Sequence, residues 1–317
     1  MHKNLKIFDE KLHNAKSIAV MAHKNPDGDA LCCVLALSRV IEKNYGTKCV
    51  CVYDGNVPDY LDNIPLRKQA HCWNKIDASK SFDLAILVDY GAEYQIGGPL
   101  EIVKNAKFVV EIDHHKNDNP VADLCIDDEN ADAAAVVLYR IIRDAKWQDD
   151  IDVRNLLAIA ILTDTGNFKF AKSAESLSVM ADLVKGGVCI RRLVEIMNNK
   201  PRKAILVEAR AAGNAEFFYH NRLAVATISR QEYRDLDGRG EMVLNILGQI
   251  KGVEYIVLLK EQKEAQIGIS IRSRGVAIDH IATAFGGGGH KQAAGAVVRG
   301  DTLANVHDNI IKAFKGM

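Results

Sequence analysis

The sequence predicts an α/β protein of two domains: an N-terminal domain with a mainly parallel sheet flanked by helices, and a smaller C-terminal α/β domain. Three observations predict this fold. The chain has 317 residues, more than one hydrophobic core usually accommodates. Short apolar runs alternate with amphipathic stretches, which is typical of βαβ units. A charged stretch over residues 188–215 interrupts this alternation, which then resumes with a different spacing of the apolar runs.

Four short runs rich in Val, Ile and Leu predict the buried strands of the N-terminal sheet. They are SIAVMAH (17–23), CVCVYD (49–54), FDLAILVDYG (82–91) and AKFVVEIDHH (106–115). Helices are predicted over residues 29–46, 131–146 and 153–166. The first helix is expected to end at Gly46, because glycine readily adopts the left-handed conformation that closes a helix.

The charged stretch contains Pro201 and predicts a helical connector over residues 188–215, because proline interrupts helices. Residues 1–187 then form the N-terminal domain and residues 216–317 form the second domain. In the second domain, strands are predicted at 222–229, 253–261 and 266–273, with helices near 240–249, 277–285 and 302–314. We expect a cleft between the two domains.

The composition argues against several classes of function. Lys and Arg total 41, as do Asp and Glu, so the chain has no net charge with which to hold long nucleic acid by its phosphates. No segment approaches the roughly 18 apolar residues of a membrane span, and the start does not resemble a signal peptide. The seven cysteines form no C-x-x-C pair, which argues against disulfides or a thiolate zinc site. We expect a cytoplasmic protein without a membrane partner.

Acidic side chains and histidines follow the apolar runs. They are Asp27 and Asp29 after the first run, Asp89 after AILV, Asp113 with His114 and His115 after FVVEI, and Asp164 after AIAILT. Ligands of open α/β sheets bind beyond the carboxyl ends of the strands, so these groups are expected to converge. Converging carboxylates need protons or cations among them. Oxygen and imidazole ligands without thiolates suit Mn²⁺ or Mg²⁺, and so many acids favour two ions that share one carboxylate.

Each of these residues also has an ordinary structural explanation. Asp29 fits a Pro-Asp-Gly turn in which it caps the next helix, and Asp89 and Asp164 can cap the elements that follow them. The adjacent histidines can be one core and one surface residue. Independent helix caps explain neither the presence of the histidines nor the position of every one of these residues at the end of an apolar run. A shared site is therefore the favoured interpretation.

Four of these segments resemble the motifs of the DHH phosphoesterase superfamily. They are H-x-N-P-D-G-D-A at 23–30, V-D at 88–89, D-H-H at 113–115 and T-D-T-G at 163–166. GGGGHKQAAGA at 286–296 resembles the glycine-rich signature of the DHHA1 domain. The resemblance covers nearly the whole chain, and its two-domain size is most similar to the oligoribonuclease and pAp phosphatase branch, the nanoRNases.

The resemblance implies a ligand set for two Mn²⁺ ions, with Mg²⁺ or Co²⁺ as substitutes. His23 and Asp27 would hold one ion, Asp29, His114 and Asp164 the other, and Asp89 would bridge the pair. Asp113 would orient the histidines, as carboxylates commonly do for metal-bound imidazoles. His115 would face the substrate phosphate, which makes Asp89, Asp113 and His115 the candidate catalytic residues.

The resemblance also implies a substrate site in the second domain. Arg272, Ser273 and His290 would hold the nucleotide or its terminal phosphate, together with Gly287, Gly288 and Gly289. The residue types alone favour an anion site, because glycines leave backbone N–H groups open to approach and arginine forms bidentate contacts with phosphate. The alternative for the glycines alone is a flexible loop between a helix and a strand.

The expected activity is Mn²⁺-dependent hydrolysis of nanoRNA and dinucleotides to mononucleotides, with dephosphorylation of pAp. Its partners would be short RNA or DNA oligonucleotides and nucleotide phosphates, and the oligomeric state, including a homodimer, stays open. Alternatives are a linear or cyclic dinucleotide phosphodiesterase, an inorganic pyrophosphatase or exopolyphosphatase, and a nucleotide-binding regulator. Cys32, Cys33 and Tyr90 stand where the superfamily usually has small residues, which bears on substrate preference.

Overall fold

A computed structural model of the chain describes residues 2–76, 81–236 and 240–317. The backbone divides into two compact units, Met1–Asn199 and Lys200–Met317. Both units are α/β, which confirms the predicted fold class. The division, between Asn199 and Lys200, lies inside the predicted connector and one residue before Pro201.

The N-terminal unit is built on a parallel sheet of six strands. They are β1 (Ile18–Ala22), β2 (Cys49–Tyr53), β3 (Ala70–Cys72), β4 (Leu84–Val88), β5 (Val109–Asp113) and β6 (Leu124–Asp127), in the order β3-β2-β1-β4-β5-β6. β1, β4 and β5 are buried along their whole length, as expected for strands covered on both faces. The chain runs outward in one direction from β1 and in the other from β4, so the strand order reverses between these neighbours.

Eight α-helices accompany this sheet in the described part of the unit. They are α1 (His2–Asn14), α2 (Gly28–Tyr45), α3 (Glu93–Ile96), α4 (Leu100–Asn105), α5 (Ala134–Asp144), α6 (Ile151–Asp164), α7 (Glu175–Lys185) and α8 (Ile190–Met197). Short 3₁₀ helices lie at Asp59–Asn63, Arg67–Gln69 and Trp73–Lys75. α2 ends as predicted at Gly46, whose φ of 74° places it in the left-handed region. α2, α5 and α6 share one hydrophobic core with the sheet, and most of α2 is buried in it.

The C-terminal unit has a second sheet of six strands. Its strands are β7 (Glu216–Phe218), β8 (Leu223–Ile228), β9 (Tyr255–Lys263), β10 (Gln266–Ser273), β11 (Gly288–His290) and β12 (Ala293–Arg299), and its helices are α9 (Arg202–Gly213), α10 (Arg230–Tyr233), α11 (Glu241–Leu247), α12 (Asp279–Ala284) and α13 (Leu303–Ala313). The order is β11-β12-β10-β9-β8-β7, and only the described pair β8–β9 is parallel.

The predicted strands and helices are present, but five strands were missed: β3, β6, β7, β11 and β12. β11 and β12 lie within and after the glycine-rich stretch, which therefore includes paired strand as well as loop. None of the helices in the described ranges combines the length and apolar composition that a membrane crossing demands.

Candidate metal centre

The predicted acids and histidines of the N-terminal unit meet at one place, where the strand order of the sheet reverses. Ala22 at the end of β1 pairs with Val88 at the end of β4, so the residues that follow these strands, His23 and Asp89, are brought side by side. Ligands of open α/β sheets bind at such switch points, beyond the carboxyl ends of the strands. The topology therefore explains why residues far apart in the chain share one site.

The first group of potential ligands is His23, Asp27 and Asp89, whose donor atoms all lie within 4.8 Å of one another. His23 Nε2 is 3.8 Å from Asp27 Oδ2 and 3.9 Å from Asp89 Oδ2. His23 Nδ1 lies 2.9 Å from the carbonyl oxygen of Lys24, so Nδ1 carries the proton and Nε2 is presented to the site. Burial lowers the pKa of His23, but the two carboxylates outweigh burial and raise it to about 9.

The second group is Asp29, His114 and Asp164, also within 4.8 Å. His114 Nε2 is 3.6 Å from Asp164 Oδ2 and 3.5 Å from Asp89 Oδ1. The other ring nitrogen of His114, Nδ1, lies 3.2 Å from the carbonyl oxygen of Ala131. Both histidines are thus held by a main-chain carbonyl at one nitrogen and turn the other toward carboxylates.

The buried atoms at the centre of the cluster lack hydrogen bonds of ordinary geometry. Asp89 Oδ1 and His114 Nε2 are fully buried and 3.5 Å apart, and neither makes a well-formed hydrogen bond among the residues that the structure describes. Unpaired buried polar atoms are rare in folded proteins because each costs desolvation free energy. Divalent cations would satisfy both atoms, and the donor set of carboxylates and imidazoles without a thiolate suits Mn²⁺ or Mg²⁺. The residues therefore fit the expected metals.

The protonation of the cluster leads to the same conclusion. Burial, together with the charges of Asp89 and Asp164, raises the pKa of the Asp29 carboxyl well above its usual range. Burial also raises the pKa of Asp164 to about 7. For His114, burial lowers the pKa, but the adjacent carboxylates outweigh burial and raise it to about 9. Without cations, the cluster must therefore retain protons, as converging carboxylates do.

The alternative explanation of Asp29 as the cap of the next helix is wrong in detail. Asp27 is the N-cap of α2, and its side chain accepts a hydrogen bond from Ala30 N at 3.2 Å. Asp29, which is buried, accepts hydrogen bonds from Ala134 N at 2.6 Å and Ala135 N at 3.1 Å. Asp29 therefore caps α5, a helix more than 100 residues later. Its carboxylate also remains within 4.8 Å of the donor atoms of His114 and Asp164.

Gly28 has a packing role between the two acids. A Cβ built on Gly28 would lie 2.3 Å from the Thr163 side-chain oxygen, a distance that no side chain tolerates. Glycine therefore lets the start of α2 approach the end of α6. Asp164 is the last residue of α6, so this acid reaches the site from a helix and not from a strand, and the close contact brings it near Asp29.

Asp113 has its carboxylate oxygens occupied by protein donors. Oδ2 accepts from Tyr90 N at 3.0 Å and Gly91 N at 2.9 Å. Oδ1 accepts from His114 N at 2.6 Å, from His115 N at 3.0 Å and from His115 Nδ1 at 2.9 Å. Asp113 thus orients the ring of His115, as expected, whereas the ring of His114 is oriented by a main-chain carbonyl that no residue type in the sequence could have revealed.

Asp89 lies at the centre of the site in a conformation unusual for a residue with a side chain. Its φ is +53°, in the left-handed region that is uncommon outside glycine, asparagine and aspartate. The residue is 3% exposed. The surrounding hydrogen bonds, including Asp89 N to the Ile112 carbonyl oxygen at 3.1 Å, hold the carboxylate between the two groups of ligands.

The predicted substrate residues of the second unit lie at the end of β10 and in β11. Arg272 pairs with Glu241, with 2.6 Å between Arg272 Nη2 and Glu241 Oε1, and Ser273 Oγ donates to the Val276 carbonyl oxygen. The side chain of His290 lies outside the described part of the structure, although its backbone belongs to β11.

The glycines of this stretch are required partly for packing. A Cβ on Gly287 would lie 2.0 Å from the Gly295 carbonyl oxygen, and one on Gly289 would lie 2.7 Å from the Ala293 carbonyl oxygen. At Gly288, in contrast, a Cβ would meet no atom of the described residues within 4 Å. Close approach to β12 therefore accounts for two of these glycines without a ligand.

Comparisons with known proteins match both units of the chain to known domain families. Residues 17–163 match the DHH family, N-terminal domain, and residues 221–316 match the DHHA1 domain. The bifunctional oligoribonuclease and PAP phosphatase NrnA of Thermus thermophilus is 27% identical over 301 residues, 94% of this chain and 89% of that protein. A probable bifunctional oligoribonuclease and PAP phosphatase NrnA of Streptococcus mutans is 26% identical, over 90% of this chain and 91% of that protein.

A solved structure shows the same fold. The exopolyphosphatase-related protein from Bacteroides fragilis has a TM-score of 0.90 to this chain at 20% sequence identity, over 99% of this chain and 97% of that one. Both domain matches lie in the order predicted from the motifs. The chain is therefore a member of the DHH/DHHA1 phosphoesterase superfamily.

Proposed function

We propose that this enzyme is a two-metal phosphohydrolase that cleaves very short oligonucleotides to mononucleotides and removes a phosphate from pAp. The observation that carries the proposal is the position of Asp89 between two groups of ligands. Its Oδ2 lies 3.9 Å from His23 Nε2, and its Oδ1 lies 3.5 Å from His114 Nε2. A carboxylate with one oxygen facing each group is suited to bridge two cations. The names of the relatives support the choice of substrates.

We assign the two cations to the two groups of ligands. His23 and Asp27 would hold one Mn²⁺, Asp29, His114 and Asp164 would hold the other, and Asp89 would contact both. Mg²⁺ and Co²⁺ are the expected substitutes. When bound, such ions lower the pKa of a water molecule and neutralise charge on the phosphoryl oxygens.

His115 is the residue that we assign to the leaving group. Its Nδ1 is 2.9 Å from Asp113 Oδ1, which fixes the orientation of the ring. Burial lowers the pKa of His115, but the carboxylates of Asp113 and Asp89 outweigh burial and raise it to about 11. In the metal-free protein the imidazole is therefore protonated at neutral pH. The protonated imidazole is the state that can donate a proton to the leaving oxygen or neutralise a phosphate.

We assign substrate holding to the second domain. Arg272 would exchange its Glu241 partner for a substrate phosphate, since guanidinium groups bind phosphate bidentately. Ser273, Gly288 and His290 would complete this site, and the preference for short substrates would come from holding their far end. We also propose that the protein acts in the cytoplasm, since each of its seven cysteines is a free thiol in the structure.

The test is hydrolysis by the Mn²⁺-loaded enzyme of an RNA dinucleotide, RNA oligomers of three to five residues, pAp, pApA, pGpG and pyrophosphate. We expect mononucleotides from the dinucleotide and phosphate from pAp. Asp89→Asn should lower both rates by about 10³-fold or more, and Asp182→Asn, an exposed acid of α7, should not. If the wild type cleaves neither the dinucleotide nor pAp, or if Asp89→Asn is as active as the wild type, the proposal is wrong. Preference for pyrophosphate would favour the alternative activity.

A further inference from the structure

A cavity of about 570 Å³ opens beside the candidate metal centre, between residues 91–94, Leu100 and residues 116–119. Its size lies within the usual range of small-molecule sites. One wall begins two residues after Asp89, and the other begins next to His115. The beginnings of the two walls lie close together, because a Cβ added to Gly91 would lie 3.6 Å from Cγ of His115, the residue before the second wall. A substrate with its phosphate at the metal centre would therefore reach this cavity with a neighbouring group.

Tyr90 holds the two walls of the cavity together. Its backbone N–H donates to Asp113 at 3.0 Å, and its buried hydroxyl donates to Glu111 Oε2 at 2.5 Å. The same hydroxyl accepts a hydrogen bond from Asn117 Nδ2 at 3.0 Å, and Asn117 Oδ1 accepts from Asn119 N at 3.1 Å. The loop 116–119 is thus tied through Tyr90 to the segment 91–94, so the cavity is formed before a ligand binds.

The lining of the cavity suits a nucleobase better than a phosphate. Tyr94, a residue that is 83% exposed, offers an aromatic ring, and Leu100 adds an apolar surface. Lys116, the cation of the lining, is paired with Asp118 at 3.2 Å, while Glu93 adds a further negative charge. An anion would meet net repulsion here, whereas a flat neutral ring can stack on Tyr94.

We propose that this cavity is a subsite for a base of the substrate, in which Tyr94 stacks on the nucleobase. The proposal rests on the proposed function, because it supplies the specificity for nucleotides that the metal centre, which contacts only phosphate, lacks. It also gives a role to Tyr90, which departs from the small residues usual at this position: its side chain organises the subsite.

The experiment is calorimetric titration of the Mn²⁺-loaded 317-residue chain with 5′-AMP and with ribose 5-phosphate, which carries a hydroxyl group in place of the base. We expect the wild type to bind AMP about 10-fold more tightly, a typical stacking contribution. Tyr94→Ala should reduce this ratio to about one by weakening AMP alone, and Tyr94→Phe should preserve it. Phe217→Ala, which removes an exposed aromatic ring from β7 of the other unit, is the matched control and should leave the ratio unchanged.

Two results would overturn the subsite: equal affinity of the wild type for the two ligands, or an unchanged ratio in Tyr94→Ala. Failure of the proposed function has a different signature, since the enzyme would then cleave neither dinucleotides nor pAp whatever the ratio of affinities. The tyrosine-to-phenylalanine variant separates stacking from loss of folding, because it keeps the ring and removes only the hydroxyl.

Discussion

Replacing Asp113 by asparagine should destabilise the N-terminal unit strongly, independently of any metal. The two carboxylate oxygens of Asp113 accept five hydrogen bonds, including those from Tyr90 N and Gly91 N at 3.0 and 2.9 Å. An amide nitrogen cannot accept, so in either orientation of the asparagine at least two N–H donors lose their acceptor. Hydrogen bonds to a charged group are each worth about 1.5–3 kcal/mol, so the expected loss is about 4 kcal/mol. This is a large part of the roughly 5–15 kcal/mol that stabilises a domain.

The tryptophans of the chain make this measurable in the intact protein. Both of them, Trp73 and Trp147, lie in the unit Met1–Asn199, so their fluorescence reports the unfolding of that unit during urea denaturation. The assay uses metal-free protein, because bound cations would add stability of their own. Asp118→Asn, an exposed acid in the adjacent loop, is the control and should change the free energy of unfolding by less than about 1 kcal/mol. A loss below about 1 kcal/mol for Asp113→Asn would refute the reasoning that its oxygens carry the local structure.

Three further predictions concern other parts of the fold. Lys107 and two backbone N–H groups lower the pKa of Asp83 to about 2. The contribution of this carboxylate to the free energy of unfolding is therefore complete above its unfolded pKa of about 4 and disappears as the pH falls toward 2. Asp83→Asn should remove this part of the pH dependence of stability, measured by denaturation between about pH 2 and 5. Gly289→Ala should lower the melting temperature of the second unit in calorimetry, because φ is +137° and the Cβ would meet a backbone oxygen at 2.7 Å, whereas Gly288→Ala should have little effect. Asp29→Ala should cost about 2–3 kcal/mol in metal-free protein by leaving two buried N–H groups of α5 unpaired, and unchanged stability would contradict its role as a distant cap.

The sequence was sufficient to assemble the candidate site because two kinds of information coincided. Apolar runs located the ends of parallel strands, and the side chains that followed them were carboxylates and imidazoles. His23 and Asp89 meet because β1 and β4 are neighbours, at the kind of switch point where ligands of α/β sheets bind. The residue types then limited the chemistry to hard divalent cations.

What the sequence could not predict depends on contacts between distant segments. Asp29 resembles a local cap, yet its carboxylate accepts hydrogen bonds from the first residues of α5. The close approach of α2 to α6 at Gly28 is likewise a contact between distant segments. β3 and β6 have three and four residues, too few for a hydrophobic period to be recognised. The group that orients the ring of His114 is the main-chain carbonyl of Ala131. Every residue has such a carbonyl, so the residue type does not indicate which one will contact the histidine.

The glycine-rich stretch is a second case in which the sequence alone does not reveal the role of its residues. The glycines together with Arg272 predict an anion site, and the glycine at 288 does have open space around it among the described residues. Its neighbours Gly287 and Gly289 are instead required by the approach of β12. A composition pattern cannot distinguish space left for a ligand from space filled by another strand.

The left-handed backbone at Asp89 limits how this protein can evolve. Most residue types are strained at a φ of +53°, so drift at this position is confined largely to asparagine and glycine. Either replacement would keep the local backbone and remove the bridging carboxylate in a single step. A homologue that kept nucleotide binding and lost hydrolysis would therefore be expected to carry Asn or Gly at position 89. Such a change would distinguish catalytically inactive homologues from active enzymes.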